Sequence, residues 1–264
     1  MISLDIGFSP CPNDTYIFHA MLHHMVDTGP FKFISHVLDV EDLNHLAFEG
    51  TFPITKVSFY AYLLLKDRYD LLDSGSALGY GCGPLVVARK EIASLEDATL
   101  AVPGRHTTAF LLLQLWQPKV KKIEITRFDH ILPGLASGKY DAGVIIHEGR
   151  FVYPAYQCKK VIDLGEWWEC KTGLPIPLGC ILLRKDMSAY KHQVESTLRA
   201  SVEYAFAHPG RSRDYIKNHA QELDDQVIDN HISLYVNSFT LSLGETGIKS
   251  IHALEEMARC RKIL

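Results

Sequence analysis

The sequence lacks closely spaced cysteines, long apolar runs and a marked excess of charge of either sign. Its six cysteines include no Cys-x-x-Cys pair, which argues against a zinc site or a redox motif. No window approaches about 18 uninterrupted apolar residues, so we expect no membrane partner. The net charge of −4 gives no reason to expect nucleic acid as a partner. The start, "MISLDIGFS", lacks the pattern of a secretory signal, so we expect a cytoplasmic protein.

What is present is the composition of an ordinary globular protein. The chain has 264 residues, of which 47% are hydrophobic and 22% charged, so it can bury a substantial core without a cofactor or disulfides. The scattered cysteines are expected to be mostly buried free thiols, as in a reducing compartment. The expected partner is a small molecule, and the sequence gives no indication of an oligomeric state.

One pattern recurs along the chain: an apolar strand, a polar loop and then an apolar helix. It appears in "ISLDIGF" before "YIFHAMLHHMV", in "FPITKVS" before "FYAYLLLKDRY", and in "ATLAVPGRHTT" before "AFLLLQLW". A fourth strand, "DAGVII", is predicted to end at His147. Alternating strands and helices predict an α/β fold, in which ligands bind beyond the carboxyl ends of the strands.

Two similar apolar segments, "GPLVVARK" and "LGCILLRKD", predict that the chain passes twice between two lobes. We therefore expect a discontinuous outer lobe of residues 1–87 plus 180–264 and a central lobe of residues 88–179, with a ligand cleft between them. The helical periodicity after the second segment, broken at Pro209 and Gly210, predicts that C-terminal helices complete the outer lobe.

Polar residues at two predicted helix starts are candidates for ligand binding. Thr107 and Thr108 follow the Pro-Gly turn of "VPGRHTT", where hydroxyls and free backbone N–H groups together can hold an anion. Taken alone, they are more often explained as a plain helix cap. Ser58 occupies a similar junction two residues after Lys56, which taken alone is typical of a solvated surface lysine. Two helix starts that face one cleft would suit a carboxylate or a polyhydroxy ligand.

Two further segments have bland alternatives. Asn13 and Asp14 in "PCPND" are further candidates for the cleft, but helix capping accounts for them as well. The glycine-rich run "SGSALGYGCGP" lacks the Gly-Lys-Ser/Thr of a nucleotide-binding loop and precedes a strand, so it is interpreted as a turn before the first lobe crossing.

His147 is the strongest candidate for a general base. Histidines on apolar strands are more often hydrogen-bonded core residues than catalysts, but this one stands where the loops converge. Its ordinary pKa near 6.5 suits acid–base chemistry at neutral pH. Strand alternation would turn its neighbour Glu148 to the opposite side, where it could pair with Arg150 or Arg105 or orient the histidine.

Seven ordered motifs carry a resemblance to a known family. They are "GFSPCPNDTYIFHA", "TKVSFYAY", "SGSALGYGCGPLVVAR", "VPGRHTTA", "GVIIHEGRF", "TGLPIPLGC" and "YVNSFTLSLGETG". Together they resemble the 1,4-dihydroxy-6-naphthoate synthases, which act in menaquinone biosynthesis by the futalosine route. The resemblance covers almost the whole chain and implies the two-lobed fold of type II periplasmic binding proteins.

The same resemblance implies an activity and the residues that carry it. The family converts cyclic dehypoxanthine futalosine to 1,4-dihydroxy-6-naphthoate, a carbon–carbon lyase reaction that needs no metal and no organic cofactor. The family's base corresponds to His147. Its substrate-contacting segments correspond to Lys56, Val57 and Ser58 and to Thr108 and Ala109. The implied partner is a small-molecule carboxylate substrate.

Two alternatives share the expected fold. A non-catalytic binding protein for a small carboxylate would bind without turnover, but it would normally carry an export signal or a lipid-anchor cysteine, which "MISLDIGFS" does not offer. A chorismate dehydratase of the same pathway is similar in fold, but that family lacks the "IIHE" ending and the "PGRHTTA" loop. A substrate assay would separate the three.

Overall fold

A computed structural model describes residues 1–92, 94–220 and 223–264. The strands within these ranges are β1 Ile2–Phe8, β2 Phe31–Val37, β3 Ile54–Ser58, β4 Tyr69–Leu71, β5 Ala77–Gly79, β6 Leu85–Ala88, β7 Thr99–Val102, β8 Lys122–Ile125, β9 Ala142–Ile145, β10 Lys159–Asp163 and β11 Ile176–Arg184. The helices are α1 Pro12–Leu22, α2 Val40–Glu49, α3 Phe59–Leu65, α4 Thr108–Trp116, α5 Ile131–Ala136, α6 Gly149–Val152, α7 Leu164–Thr172, α8 Lys191–Ala207, α9 Arg213–Lys217, α10 Asp225–Tyr235, α11 Ser238–Leu241 and α12 Gly244–Cys260.

The strands form two mixed sheets. The first has the order β2-β1-β3-β11-β4, and β5 also pairs with β11. In it β1 runs parallel to β2 and β3, whereas β11 is antiparallel to its neighbours. The second has the order β10-β6-β9-β7-β8, with β7 parallel to β8 and β9 and with β6 antiparallel to β9. Each sheet therefore contains a parallel pair, β1 and β3 or β7 and β9, whose carboxyl ends point the same way.

The predicted α/β class is confirmed, and the strand-to-helix units fall close to their predicted positions. The strands β1, β3 and β7 are each followed by the expected helix, α1, α3 and α4. The glycine-rich run was interpreted as a turn only, and this was wrong in part, since β5 lies within it and pairs with β11. The helix α1 begins at Pro12 with Cys11 at its N-cap, so Asn13 and Asp14 lie in the first turn and do not cap it.

One hydrophobic core extends across both sheets. It includes Val57 and Leu182 from the first sheet, Val86 and Leu100 from the second, and Leu112 from α4 between them. A second cluster packs α1 and α8 on the far face of the first sheet. Because the largest cluster is shared, the two sheets are held by apolar burial as well as by the connecting chain.

The lobe division expected from the sequence remains a prediction. The chain passes from the first sheet to the second between β5 and β6, and it returns between α7 and β11. These connections, residues 80–84 and 173–175, each lie a few residues before the boundaries predicted between 87 and 88 and between 179 and 180. Gly83 in the first connection contacts Gly165 so closely that an added β-carbon would lie 2.3 Å from the Gly165 backbone. No side chain fits between these two segments.

Two expectations from composition can be compared directly with the structure. All six cysteines are free, and four of them are buried, as expected; Cys170 and Cys260 are exposed. Within the described ranges, no helix is both long enough and apolar enough to cross a bilayer.

Candidate functional site

The four strand ends of the two parallel pairs meet at a single cavity. Its empty space, counted with the open mouth, amounts to about 650 Å³. The loops after β1, β3, β7 and β9 all contribute to it. The lining residues are Ser9, Asn13, Asp14, Val40, Lys56, Val57, Ser58, Ala77, Cys82, Pro84, Thr107, Thr108, Ala109, Ile146, His147, Leu178, Gly179 and Tyr235.

The structure brings every candidate site residue of the sequence to this cavity. Those residues are Asn13, Lys56, Val57, Ser58, Thr107, Thr108, Ala109 and His147. They come from both sheets, so the cavity lies where the two lobes face each other. Their contacts with a ligand stay a prediction.

The sequence pattern predicted a strand that ends at His147, but in the structure His147 lies beyond the end of that strand. The strand β9 ends at Ile145, and His147 sits two residues later in a turn with a φ angle of +54°. This left-handed conformation is uncommon for residues other than glycine and ends the strand geometry. Strand alternation therefore does not decide where Glu148 points. A positive φ at a residue other than glycine is often found at functional sites.

The imidazole of His147 is enclosed by other rings and by one thiol. Its Nδ1 atom lies 3.2 Å from Cys11 Sγ, and its ring packs edge-on against Phe128 at 4.9 Å between centroids. The residue as a whole is half-buried, but its Nε2 atom is inaccessible to solvent and has no hydrogen-bond partner within the described ranges. One ring nitrogen is thus held by the thiol, and the other has no hydrogen-bond partner among the described residues.

Burial lowers the pKa of His147 from its ordinary value of 6.5 to about 4. The nearby carboxylate of Asp14 acts in the opposite direction, and the ammonium of Lys56 reinforces the lowering. The imidazole is therefore neutral at neutral pH, which is the form that can accept a proton. Burial also raises the pKa of the Cys11 thiol well above its ordinary value, so its sulfur is uncharged.

Glu148 faces a neighbouring cavity of about 300 Å³ that it shares with Cys11, Phe128 and His231. Arg150, one of the two arginines considered for it, forms an ion pair with Asp163 at 2.6 Å. The carboxylate of Glu148 raises the pKa of Cys11, after the larger effect of burial. Glu148 thus lies behind the thiol that contacts the histidine.

Lys56 and Asp14 form a buried ion pair in the floor of the cavity. Lys56 Nζ lies 3.0 Å from Asp14 Oδ1, and both side chains are less than a tenth exposed. Lys56 also donates to the Gly75 carbonyl at 2.7 Å. Asp14 accepts from the Asn13 amide at 2.8 Å and from the Ser9 hydroxyl at 2.6 Å. The sequence pattern alone suggested a solvated surface lysine, but Lys56 is buried and its ammonium is paired inside the protein.

The two helix starts that face the cavity are linked by hydrogen bonds. Thr107 caps α4 by accepting from Phe110 N at 3.2 Å. The Thr108 hydroxyl donates to the Leu178 carbonyl at 2.9 Å and accepts from Tyr60 N, in the first turn of α3, at 3.2 Å. The Thr108 hydroxyl hydrogen already bonds the Leu178 carbonyl. The hydrogen bonds that α4 can donate to a ligand therefore come from its first backbone N–H groups.

Ser58 keeps its hydroxyl hydrogen available. Its backbone N–H donates to Asn44 Oδ1 at 2.9 Å, and its hydroxyl oxygen accepts from Asn44 Nδ2 at 3.3 Å. The Asn44 amide also donates to Glu41 Oε2 at 2.9 Å, which fixes its orientation. Ser58 is thus positioned at the cavity as a hydrogen-bond donor.

The family model described as menaquinone biosynthesis matches residues 4–260 of the chain. The chain belongs to this family. A relative from Thermus thermophilus is 49% identical over 262 residues, which cover 99% of this chain and 96% of that protein, and is named 1,4-dihydroxy-6-naphthoate synthase. A relative from Streptomyces coelicolor, 43% identical over 96% of this chain and 91% of that protein, has the same name.

A solved structure extends the likeness to the fold of this menaquinone-biosynthesis family member. The alkanesulfonate-binding protein SsuA from Xanthomonas axonopodis pv. citri superimposes with a TM-score of 0.74 at 14% identity, over 99% of this chain and 94% of that one. At this identity the match shows the fold alone. It confirms the periplasmic-binding-protein-like fold implied by the seven motifs.

Sequence reasoning missed two side chains that this family member brings to the site from α10. Tyr235 lines the cavity. His231 Nε2 lies 2.9 Å from Asn13 Oδ1, and its ring stacks near His147 at 6.3 Å between centroids. More than 200 residues separate His231 from Asn13 in the chain. Tyr235 begins the motif "YVNSFTLSLGETG", which gave no sign of a role at the site, and no motif includes His231. Only tertiary packing places α10 over α1.

We expect the stability of this family member to fall as the pH drops from about 6.5 towards 4. Burial lowers the pKa of both His147 and His231 in the native state, whereas in the unfolded chain both groups titrate at their ordinary value. Between those pH values the unfolded state binds more protons, so acid favours unfolding, by about 2 to 3 kcal/mol for His147 alone. Urea unfolding as a function of pH measures the loss, and His147→Asn should reduce its slope in this window.

Proposed function

We propose that this chain is a 1,4-dihydroxy-6-naphthoate synthase, a carbon–carbon lyase that acts on cyclic dehypoxanthine futalosine. The observation that carries the proposal is the unpartnered Nε2 of a neutral, enclosed His147 at a cavity built from four strand ends. The names of the two relatives support the same product. The neighbouring helix starts provide the donors that a carboxylate substrate needs.

The cavity matches the two chemical parts of such a substrate. Apolar side chains, among them Val40, Val57 and Ile146, provide walls for an aromatic ring. An aryl carboxylate would accept hydrogen bonds from the Ser58 hydroxyl and from the first N–H groups of α4 at Thr108 and Ala109. Lys56 adds positive charge beneath them, although its pairing with Asp14 balances most of it.

His147 would act as the general base. The lone pair for proton removal lies on Nε2 when Nδ1 carries the hydrogen and directs it to Cys11 Sγ, 3.2 Å away. The base would remove a proton from the sugar-derived part of the substrate and start ring opening with retro-aldol-like loss of a three-carbon fragment. Formation of an aromatic naphthalene ring drives the cleavage, so the site needs little electrophilic assistance.

Incubation of the purified protein with cyclic dehypoxanthine futalosine tests the proposal. The expected result is the appearance of the naphthoate chromophore, with loss of substrate in equal amount. Chorismate, offered in parallel, should not be dehydrated. If chorismate is consumed and cyclic dehypoxanthine futalosine is not, the chain is a chorismate dehydratase of the same pathway.

A binding protein without turnover is the second candidate, and the fold it shares with SsuA favours it over other non-catalytic functions. A binding protein would bind cyclic dehypoxanthine futalosine tightly and form no product from it. Calorimetry and product assay on the same sample separate the two, since an enzyme would consume the ligand during the titration.

Ser58→Ala should weaken substrate binding by about 2- to 100-fold, the range expected for loss of one hydrogen bond to a neutral or charged acceptor. Thr108→Val should instead lower thermal stability, because the Leu178 carbonyl and the Tyr60 N–H lose their partner. Thr108→Ser keeps that hydroxyl and is the matched control. Calorimetric binding that is unchanged in Ser58→Ala would mean that this hydroxyl serves the fold alone.

A further inference from the structure

A second group of chemically reactive side chains lies beside the cavity and takes no part in the proposed reaction. Glu41 and His45 stand one turn apart on α2, and His106 lies in the loop between β7 and α4. Glu41 Oε1 is 3.3 Å from His45 Nε2 and 3.3 Å from His106 Nδ1. All three atoms lie within 4.8 Å of one another. One carboxylate and two imidazoles from two segments thus converge on one point.

Two of the three separations match the edges of a metal coordination tetrahedron. Zinc binds histidine nitrogen and carboxylate oxygen at about 2.0 to 2.2 Å, so two ligands of a tetrahedral ion lie about 3.3 to 3.5 Å apart. Both distances from Glu41 fall at the lower end of this range. The two histidine rings stand nearly perpendicular at 79°, with centroids 5.2 Å apart.

Hydrogen bonding between the three side chains does not account for the arrangement as well. The Nδ1 atom of His106 is inaccessible to solvent and lies 3.3 Å from Glu41 Oε1, in a geometry too poor for a regular hydrogen bond. The carboxylate is oriented from behind, because Asn44 donates to Oε2 at 2.9 Å and the His106 backbone N–H donates at 3.0 Å. Outer contacts of this kind typically hold a metal-binding carboxylate in place.

We propose that Glu41, His45 and His106 form a binding site for a divalent transition metal of the zinc class. Water would complete the coordination, and the exposed His45 side chain provides the entry path. The site joins α2, which lies between β2 and β3 of the first sheet, to the loop between β7 of the second sheet and α4. Val40 and Thr107, the neighbours of Glu41 and His106, line the cavity, so a bound ion would fix the two segments that flank it.

Zinc titration of tag-free protein tests the site, with His45→Ala and His106→Ala as variants and His252→Ala, an exposed histidine on α12, as the matched control. We expect a 1:1 complex whose affinity falls about 10-fold or more in each site variant and not in the control. Zinc should also raise the melting temperature of the wild type, since an ion that binds only the native state stabilises it. Magnesium, which prefers oxygen ligands, should do neither.

Cobalt absorption adds a readout of the ligands themselves. Tetrahedral cobalt bound by one carboxylate and two imidazoles should absorb in the visible range without a thiolate charge-transfer band. Zinc affinity unchanged in His45→Ala, which removes an exposed side chain and leaves the core intact, would overturn the proposal. A thiolate band would overturn it too, by assigning the ion to the exposed Cys170 or Cys260.

Discussion

His147→Asn should lower turnover of cyclic dehypoxanthine futalosine by about 100-fold or more while the protein stays folded and binds its substrate. Asparagine keeps part of the shape of histidine and tolerates the left-handed backbone found here, at a φ of +54°. It cannot accept a proton near neutral pH. The loss should therefore fall on kcat rather than on substrate binding, and steady-state kinetics with calorimetry on the same variant measure both.

The pH profile gives an independent check on the same residue. Since burial lowers the pKa of His147 to about 4, the acidic limb of kcat/KM should lie well below pH 6.5. That limb should be absent from any activity that His147→Asn retains. Glu148→Gln is the matched control and should do less harm, because Glu148 lies behind Cys11 and not at the cavity. A folded His147→Asn protein with near-normal turnover would make this histidine a packing residue.

Lys56→Met should destabilise the fold by about 3 to 5 kcal/mol, because it leaves the Asp14 carboxylate buried without its cation. Methionine fills much of the lysine volume, so the loss reports charge rather than a cavity. The double variant Lys56→Met with Asp14→Asn should recover a large part of the stability, since no uncompensated charge remains. Urea unfolding of the wild type, Lys56→Met, Asp14→Asn and the double variant gives the coupling energy directly.

The control for this cycle is an exposed ion pair of the same chemistry. Lys121 pairs with Asp97 at 3.0 Å on the surface, and Lys121→Met should leave the unfolding midpoint unchanged within error. If Lys56→Met lowers the free energy of unfolding no more than Lys121→Met does, the ion pair of Lys56 with Asp14 is hydrated in solution and does not stabilise the floor of the cavity.

Much of the architecture could be predicted because it follows from local patterns. The alternation in "ISLDIGF" and the capping threonine of α4 at Thr107 each depend on neighbours a few residues away. Three strand-to-helix units and a fourth strand predicted an α/β fold with a site at the strand ends. The strand β9 was predicted to end at His147, but it ends two residues earlier. His147 instead lies in a left-handed turn, a conformation that a histidine can adopt but seldom does.

The contacts that define the site could not be predicted, because they join distant parts of the chain. Nothing in the segment around Lys56 shows that Asp14 lies 3.0 Å away, so its burial was not foreseen. The contact between Cys11 and His147 spans 136 residues. Polar residues at strand ends can be listed from a sequence, but which of them meet is decided by the packing of the two sheets.

Product analysis of a single incubation tests the central claim most directly. Wild-type protein and His147→Asn, at equal concentration, are each given cyclic dehypoxanthine futalosine, and both products are quantified by mass spectrometry. The account predicts that the wild type releases 1,4-dihydroxy-6-naphthoate and a three-carbon fragment in equal amounts, at a rate about 100-fold or more above that of the variant. Substrate that is bound by the wild type and recovered intact would contradict it.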